Sequence, residues 1–340
     1  MLDVFTNDAF SMVSLTESIN LMPYVPARLG SLGLFRPKPI ATLTAVLEYK
    51  QNTINIIPSR ARGSRENVRG GGTRIAKAVK VPHLPEGSSI LADDVQGVRA
   101  FGSEDQVEGV AQLVNTRLEE LRQDHEVTAE WHRMGALSGV LLDADGVSVI
   151  ESFFDLFGIT ETEFPFDLTV DEDGVKLQAQ ALSRLMRHLM GAWPFTGIHA
   201  MCGDSFFDDL ITSPSAKAAY DRWQDGQFKR ELQGSPGGGF TWCGVTWENY
   251  DGYFTDSFSF INTDECRFFP TGAPGLFGVA YAPADYIETV NTLGRPFYAK
   301  QERMKFDKGV ELETQSNALH YCTRPQVLIK GVKAGSGSSS

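Results

Sequence analysis

His199, Cys202 and Asp204 lie within one short stretch and are of the types that build a thiol nucleophile, a base and an orienting carboxylate. Such chemistry needs the three groups to converge in space, which close sequence neighbours rarely do. A buried structural thiol is the commoner fate of an isolated cysteine. Gly203-Asp204-Ser205 resembles the start of an esterase motif, but the glycine-flanked nucleophile elbow is missing. No catalytic residue is therefore assigned, and a Cys202-dependent enzyme is kept only as a remote alternative.

Asp143, Asp145 and Glu151 invite a calcium loop, yet Gly146 comes too early for the glycine at loop position six, and an Asp-Gly hairpin turn accounts for the same residues. Gly70, Gly71 and Gly72 are not followed by Lys-Ser/Thr or by a helix start, so they do not form a phosphate cradle. Cys202, Cys243, Cys266 and Cys322 are widely separated and the six histidines are scattered, which leaves no zinc spacing. Neither a metal nor a cofactor is expected.

The informative residues are charges. Between Pro58 and Lys80 stand seven cations, Arg60, Arg62, Arg65, Arg69, Arg74, Lys77 and Lys80, against Glu66 alone, a net of +6. From Ser103 to Arg133 eight acids, among them Glu108, Glu119, Glu120 and Asp124, face three arginines, a net of −5. Charge runs often do no more than keep a loop wet, and nucleic acid is another partner for a basic segment. Because the two segments are opposite in sign, the basic one of one copy can lie along the acidic one of the next, which is a self-assembly signature.

The elements that must position these charges follow from pattern. Residues 42–57 and 75–81 read as strands, and the polar, glycine-containing stretch between them reads as the tip of a long basic β-hairpin. Ser103 and Gln106 form a capping box ahead of Val107, Val110, Val114, Leu118 and Leu121 at steps of three and four. This predicts a helix of about 45 Å. Residues 1–41, punctuated by Pro23, Pro26, Pro37 and Pro39, read as an extended arm. Helices are expected over 175–190 and 213–224, a hairpin around Asp145-Gly146, and short strands beyond Gly239. GSGSSS at 335–340 reads as a disordered tail.

The chain has 340 residues, 42% of them apolar and 22% charged, and carries 31 Lys/Arg against 43 Asp/Glu for a net charge of −12. This is an ordinary globular composition, large enough for a core without disulfide support. The net charge argues against a surface built throughout to grip phosphates. Residues 1–100 carry a net +4 and the remainder −16. No apolar run reaches a membrane-spanning length and no basic-plus-apolar leader opens the chain, so a membrane location is not expected.

The strings DAFSMVSLTESINLMPYVPARLGSLGLF, VPHLPEGSSILADDVQGVRAFGSE, GVLLDADG, CGDSFFDDLI and RPFYAKQERMKFDKGVELETQSNALHYCTRPQVLIKG resemble the lambda-type (E-type) major capsid proteins of tailed bacteriophages. The resemblance runs in one order from about residue 8 to residue 331. It implies an α+β fold of the Hong Kong 97 type, with an arm over 1–41 and an extended loop over 42–100. A peripheral domain with a spine helix would take 101–172 and 290–331, an axial domain 173–289, and the tail 332–340. The extended loop would then overlie a neighbour's peripheral domain, with Arg60, Arg62, Arg65, Arg69, Arg74 and Lys77 facing Glu108, Glu119, Glu120 and Asp124, and with Gly70, Gly71 and Gly72 giving the tip flexibility.

The implied function is a virion head shell of hexamers and pentamers, assembled in the host cytoplasm around double-stranded DNA without sequence preference. The implied partners include a portal and leave room for a decoration protein. Some 41 residues ahead of the loop leave no space for a fused scaffold of domain size, so a separate scaffolding protein is expected. A nanocompartment shell of the same fold is the closest alternative. No motif identifies a Lys and Asn pair for a covalent crosslink.

Overall fold

The computed structural model describes residues 11–21, 28–50, 74–95, 106–169, 174–225, 239–250, 253–255, 258–259 and 261–334. The chain opens with helices α1 (Met12–Leu21) and α2 (Arg28–Ser31), then strands β1 (Arg36–Pro39), β2 (Thr44–Lys50), β3 (Arg74–Lys80) and β4 (Leu84–Leu91). Helices α3 (Ala92–Val95) and α4 (Gln106–Ser138) follow, then β5 (Val140–Leu142), β6 (Val149–Ser152), α5 (Phe153–Phe157), β7 (Thr162–Phe166) and α6 (Gly174–Met190). Next come β8 (Gly197–Cys202), α7 (Asp204–Thr212), α8 (Pro214–Asp225), β9 (Phe240–Trp242), β10 (Val245–Asn249), β11 (Tyr253–Thr255) and β12 (Phe258–Ser259). The remainder is all strand and short 3₁₀ turn: β13 (Glu265–Thr271), β14 (Phe277–Tyr281), β15 (Tyr298–Arg303), β16 (Gly309–Ser316), β17 (Ala318–Cys322) and β18 (Ile329–Lys333).

Two compact units divide these elements. The first takes Met1–Val46, Ala78–Arg133 and Gly278–Tyr321, the second Leu47–Lys77, Met134–Phe277 and Cys322–Ser340. Their borders differ from those expected at 172/173 and 289/290. Strands β7 and β18, expected among the peripheral elements, are hydrogen-bonded into the same sheet as β8 and β13, and β18 takes in Val332 and Lys333, residues expected in the disordered tail.

The core of the first unit forms on an antiparallel sheet in the order β15-β16-β4. Leu15 and Ile19 of α1, Val114 and Leu118 of α4, and Ile90, Ala299, Val310 and Leu312 of the sheet make one buried cluster. Val114 and Leu118, two positions of the three-and-four spacing that predicts the long helix, are thus buried in this cluster, while the Val107 and Val110 side chains lie outside the described residues. Over 33 residues the helix rises about 50 Å; its expected cap, Ser103, lies outside the described residues.

The arm is not wholly extended, contrary to expectation. Helix α1 forms because Leu15 and Ile19 are one turn apart and both find the core. The Thr16 hydroxyl donates to Ala299 O at 3.3 Å and accepts from Ala299 N–H at 3.1 Å. Asn20 Nδ2 donates to Phe297 O at 2.9 Å. Further on, β1 pairs parallel with β14 and is an edge strand of β1-β14-β17, a position that tolerates Pro37 and Pro39 because their missing N–H groups are not needed there.

The second unit is built on a mixed sheet in the order β7-β18-β13-β8-β10-β9. Its neighbouring pairs are parallel for β7/β18 and β8/β10 and antiparallel for the other three. Phe166, Trp247 and Phe268 pack ring to ring, with centroids 5.4–5.9 Å apart. Helix α6 buries Val175, Ala179, Leu182, Met186 and Met190. The expected Asp-Gly hairpin joins β5 to β6, with Gly146 at φ 69°. Gly139, at φ 83°, ends the long helix, and a Cβ there would overlap the Phe154 ring.

Candidate assembly surface

The residues with catalytic or metal-binding types do not converge. His199 and Cys202 are three apart on β8 and so project to opposite faces. His199 Nε2 meets Glu248 Oε2 at 3.0 Å and the ring stacks on Phe269. Cys202 is fully buried, 3.1 Å from the Cys266 sulfur, and Asp204 accepts a hydrogen bond from Asn249 Nδ2 at 3.0 Å. In the β5–β6 turn, Asp145 accepts from Val147 N–H at 2.9 Å, Ser148 N–H at 2.8 Å and the Ser148 hydroxyl. Those bonds, the hydroxyl first, hold its carboxyl below the usual range, so turn closure already employs the group. Among the described residues no cluster suited to a metal ion occurs.

The charged segments are positioned as follows. Strands β2 and β3 pair as a two-stranded ribbon, and the bond from Val81 N–H to Leu43 O at 3.0 Å joins the start of one to the end of the other, as in a hairpin. Ala45, Leu47, Val79 and Val81 are its buried residues, and Lys77 is exposed. Arg74 begins β3. Arg60, Arg62, Arg65, Arg69, Gly70, Gly71 and Gly72 lie outside the described residues.

On α4, Glu119, Glu120 and Asp124 are all exposed, and the Glu108 side chain lies outside the described residues. Several acids of this helix are committed within the chain. Glu120 pairs with Arg117 at 2.8 Å, and Glu126 with Arg122 at 2.8 Å. Glu130 is buried; it accepts from Leu29 N–H at 2.5 Å and Gly30 N–H at 3.2 Å and pairs with Arg133 at 3.1 Å. The spacing of the first two pairs is readable as helical i,i+3 and i,i+4 neighbours. The Glu130–Arg133 pair is likewise an i,i+3 neighbour, but the Glu130 contacts to Leu29 and Gly30 join residues about a hundred apart, and no local pattern announces them.

A second acidic surface belongs to the adjoining sheet. On its exposed side Glu302 of β15 stands directly opposite Glu311 of β16, like charges across a strand pair. Glu313, also exposed, is two residues on. Pro85, Gly87 and Ser89 of β4 add exposed small residues beside them. A surface cavity of ≈ 410 Å³ is lined by residues 85–89 and 311–313. At its rim Glu86 has its carboxyl raised, by burial first and then by Asp124 of the long helix. Sequence patterning does not expose this surface, because its acids sit on separate strands and are gathered only by the β15-β16-β4 register.

The described elements, a long helix and sheet in one unit and a mixed sheet in the other, with a two-stranded ribbon between β1 and β4, make an α+β subunit of the Hong Kong 97 capsid type. A crystal structure described as a prophage capsid protein from E. coli CFT073 is similar to it at TM-score 0.56, with 14% identity over 95% of this chain and 99% of that one. The capsid of Ralstonia phage GP4 is similar at TM-score 0.50, with 10% identity over 90% and 88%.

Residues 11–333 match the family described as phage major capsid protein E, and the chain belongs to that family. Major capsid proteins of Salmonella phage Felix O1 and Pseudomonas phage KPP10 are each 26% identical to it, the first over 94% of this chain and 95% of the relative, the second over 96% and 97%. The chain is a structural major capsid protein of a tailed phage, a subunit of the icosahedral head shell. No helix among the described residues is long and apolar enough to cross a membrane.

Proposed function

We propose that copies of this chain join when the cationic β2–β3 loop of one lies over the acidic face of the next copy's first unit, building hexamers and pentamers of a head that holds double-stranded DNA. The observation that carries this reading is complementarity of sign within one sequence. Residues 58–80 are net +6, and Glu119, Asp124, Glu302, Glu311 and Glu313 are exposed acids of the long helix and its sheet. The loop residues concerned are Arg60, Arg62, Arg65, Arg69, Arg74 and Lys77. Glu108 and Glu120 complete the proposed helix side, with Glu120 already shared with Arg117. In this reading the first unit carries the peripheral domain and the six-stranded sheet the axial domain.

Exposed charge pairs contribute only ~0–1 kcal/mol each, so these charges set register and assembly rate, and apolar burial under arm and loop supplies most of the strength. Gly70, Gly71 and Gly72 let one loop sequence fit several local environments, because glycine accepts backbone angles closed to other residues. A separate scaffolding protein, a portal and a decoration protein are the proposed further partners, and assembly takes place in the host cytoplasm. Contacts to packaged DNA are to phosphates and carry no base information.

The test replaces Arg60, Arg62, Arg69 and Arg74 with Glu. The expected product is a folded subunit by circular dichroism that forms no shells by electron microscopy, with shells regained when Glu302, Glu311 and Glu313 are changed to Lys in the same chain. Normal shells from the four-Glu variant would overturn the electrostatic role.

A further inference from the structure

Cys202 of β8 and Cys266 of β13 are register partners in an antiparallel pair. Next to them, Gly203 N–H donates to Glu265 O at 2.9 Å, which makes 203/265 a hydrogen-bonded position. The two kinds of position alternate along such a pair, so 202/266 is the non-hydrogen-bonded kind, where facing side chains come closest. That spacing suits the Cβ separation a disulfide spans. The two sulfurs are 3.1 Å apart as free thiols, and both residues are fully buried. Cys243 sits instead in the β9–β10 turn and Cys322 ends β17.

We propose that Cys202 and Cys266 are a disulfide-forming pair that ties β8 to β13 when the capsid subunit, released from a reducing cell, meets a peroxide-class oxidant. In the first step one thiol loses its proton, its thiolate attacks an oxygen of hydrogen peroxide, the O–O bond breaks, and the departing hydroxide takes up that proton, which gives a sulfenic acid and one water. In the second, the partner thiol attacks the sulfenic sulfur, the S–S bond forms, and the hydroxyl leaves as a second water with the thiol's proton. Two thiols lose two electrons and two protons, and one peroxide becomes two waters.

Peroxide is small enough to reach a buried pair through brief local opening, which larger disulfide reagents need in greater degree. Burial raises the Cys266 thiol well above its ordinary range, so the reaction is slow at neutral pH and quickens as pH rises. The bond closes the chain segment holding α7, α8, β9 and β10 into a covalent loop across two central strands of the sheet.

The test exposes the full chain, unassembled and assembled, to hydrogen peroxide at pH 7 and pH 9, followed by alkylation in denaturant and peptide mapping. The expected result is a 202–266 crosslinked peptide two hydrogens lighter than the pair of thiols, formed faster at pH 9, with a higher urea midpoint. Full reduction in denaturant, followed by refolding, returns the lower midpoint. Cys202→Ser and Cys266→Ala should each abolish crosslink and midpoint shift. Sulfinic or sulfonic acid at either residue without the crosslink, pairing with Cys243 or Cys322, or free Cys202 and Cys266 after Cys243 is fully oxidised, would each overturn the proposal. Mapping of the unsubstituted protein decides the matter even where a variant fails to fold.

Discussion

Glu130 shows what a single buried carboxylate does in this subunit. Its two oxygens take the backbone N–H groups of Leu29 and Gly30 and the Arg133 guanidinium, and so tie the arm to the long helix. Glu130→Ala leaves the buried Leu29 N–H, the half-buried Gly30 N–H and the half-buried Arg133 cation without their acceptor, and should destabilise the unassembled subunit by about 2–3 kcal/mol in urea unfolding. Glu130→Gln, which keeps an acceptor, should lose less. His125 gives a second reading at this scale. Burial depresses its imidazolium to about 4, with Asp124 opposing weakly, while its ring nitrogen meets the Thr314 hydroxyl at 3.0 Å. The unfolded chain therefore takes up this proton first as pH falls from about 6.5 toward 4, so stability is full above that window and is lost within it. The shift corresponds to roughly 3 kcal/mol. His125→Gln should flatten the acid limb of a stability-against-pH curve between those values, measured by chemical unfolding. His320, also buried, shifts in the same direction and would account for a slope that persists.

Elements differ in how far their residues announce them. The long helix is legible because Val114, Leu118 and Leu121 keep a helical step and are among the side chains it buries. The β5–β6 turn is legible because Asp145-Gly146 carries its own backbone chemistry. Helix α1 is not, since its apolar contact is a single turn and its remaining ties run to Ala299 and Phe297, nearly three hundred residues away. Nor is β7; β18 is legible as a short strand, but its parallel pairing with β7 joins distant segments and is not. For the assembly surface, the sign of the basic loop and of the long helix is readable, whereas the commitment of Glu130 to the arm and the gathering of Glu302 and Glu311 depend on tertiary register. The helix end offers a sharp test. Gly139→Ala meets both a left-handed backbone and the Phe154 ring, and should cost about 2–4 kcal/mol in chemical unfolding. Gly158→Ala, also left-handed but in open space, should cost nearer 1 kcal/mol.

At the scale of the whole molecule, the proposed pairing of the basic loop with a neighbour's acidic first unit predicts that shell growth depends on ionic strength. Assembly followed by light scattering should slow as salt rises from 50 mM to 500 mM, because screening shortens to a few ångströms, and the four-Glu loop variant should show little of that dependence. The order of strands in the six-stranded sheet bears on when that sheet can close during synthesis. Strand β18 is inserted between β7 and β13, so β7 stays detached and one side of β13 unpaired until residues 329–333 have emerged from the ribosome. A polypeptide interrupted at any earlier codon cannot complete that sheet. The topology thus makes closure of this sheet an event that waits for β18, whatever has already folded around β8 and β13.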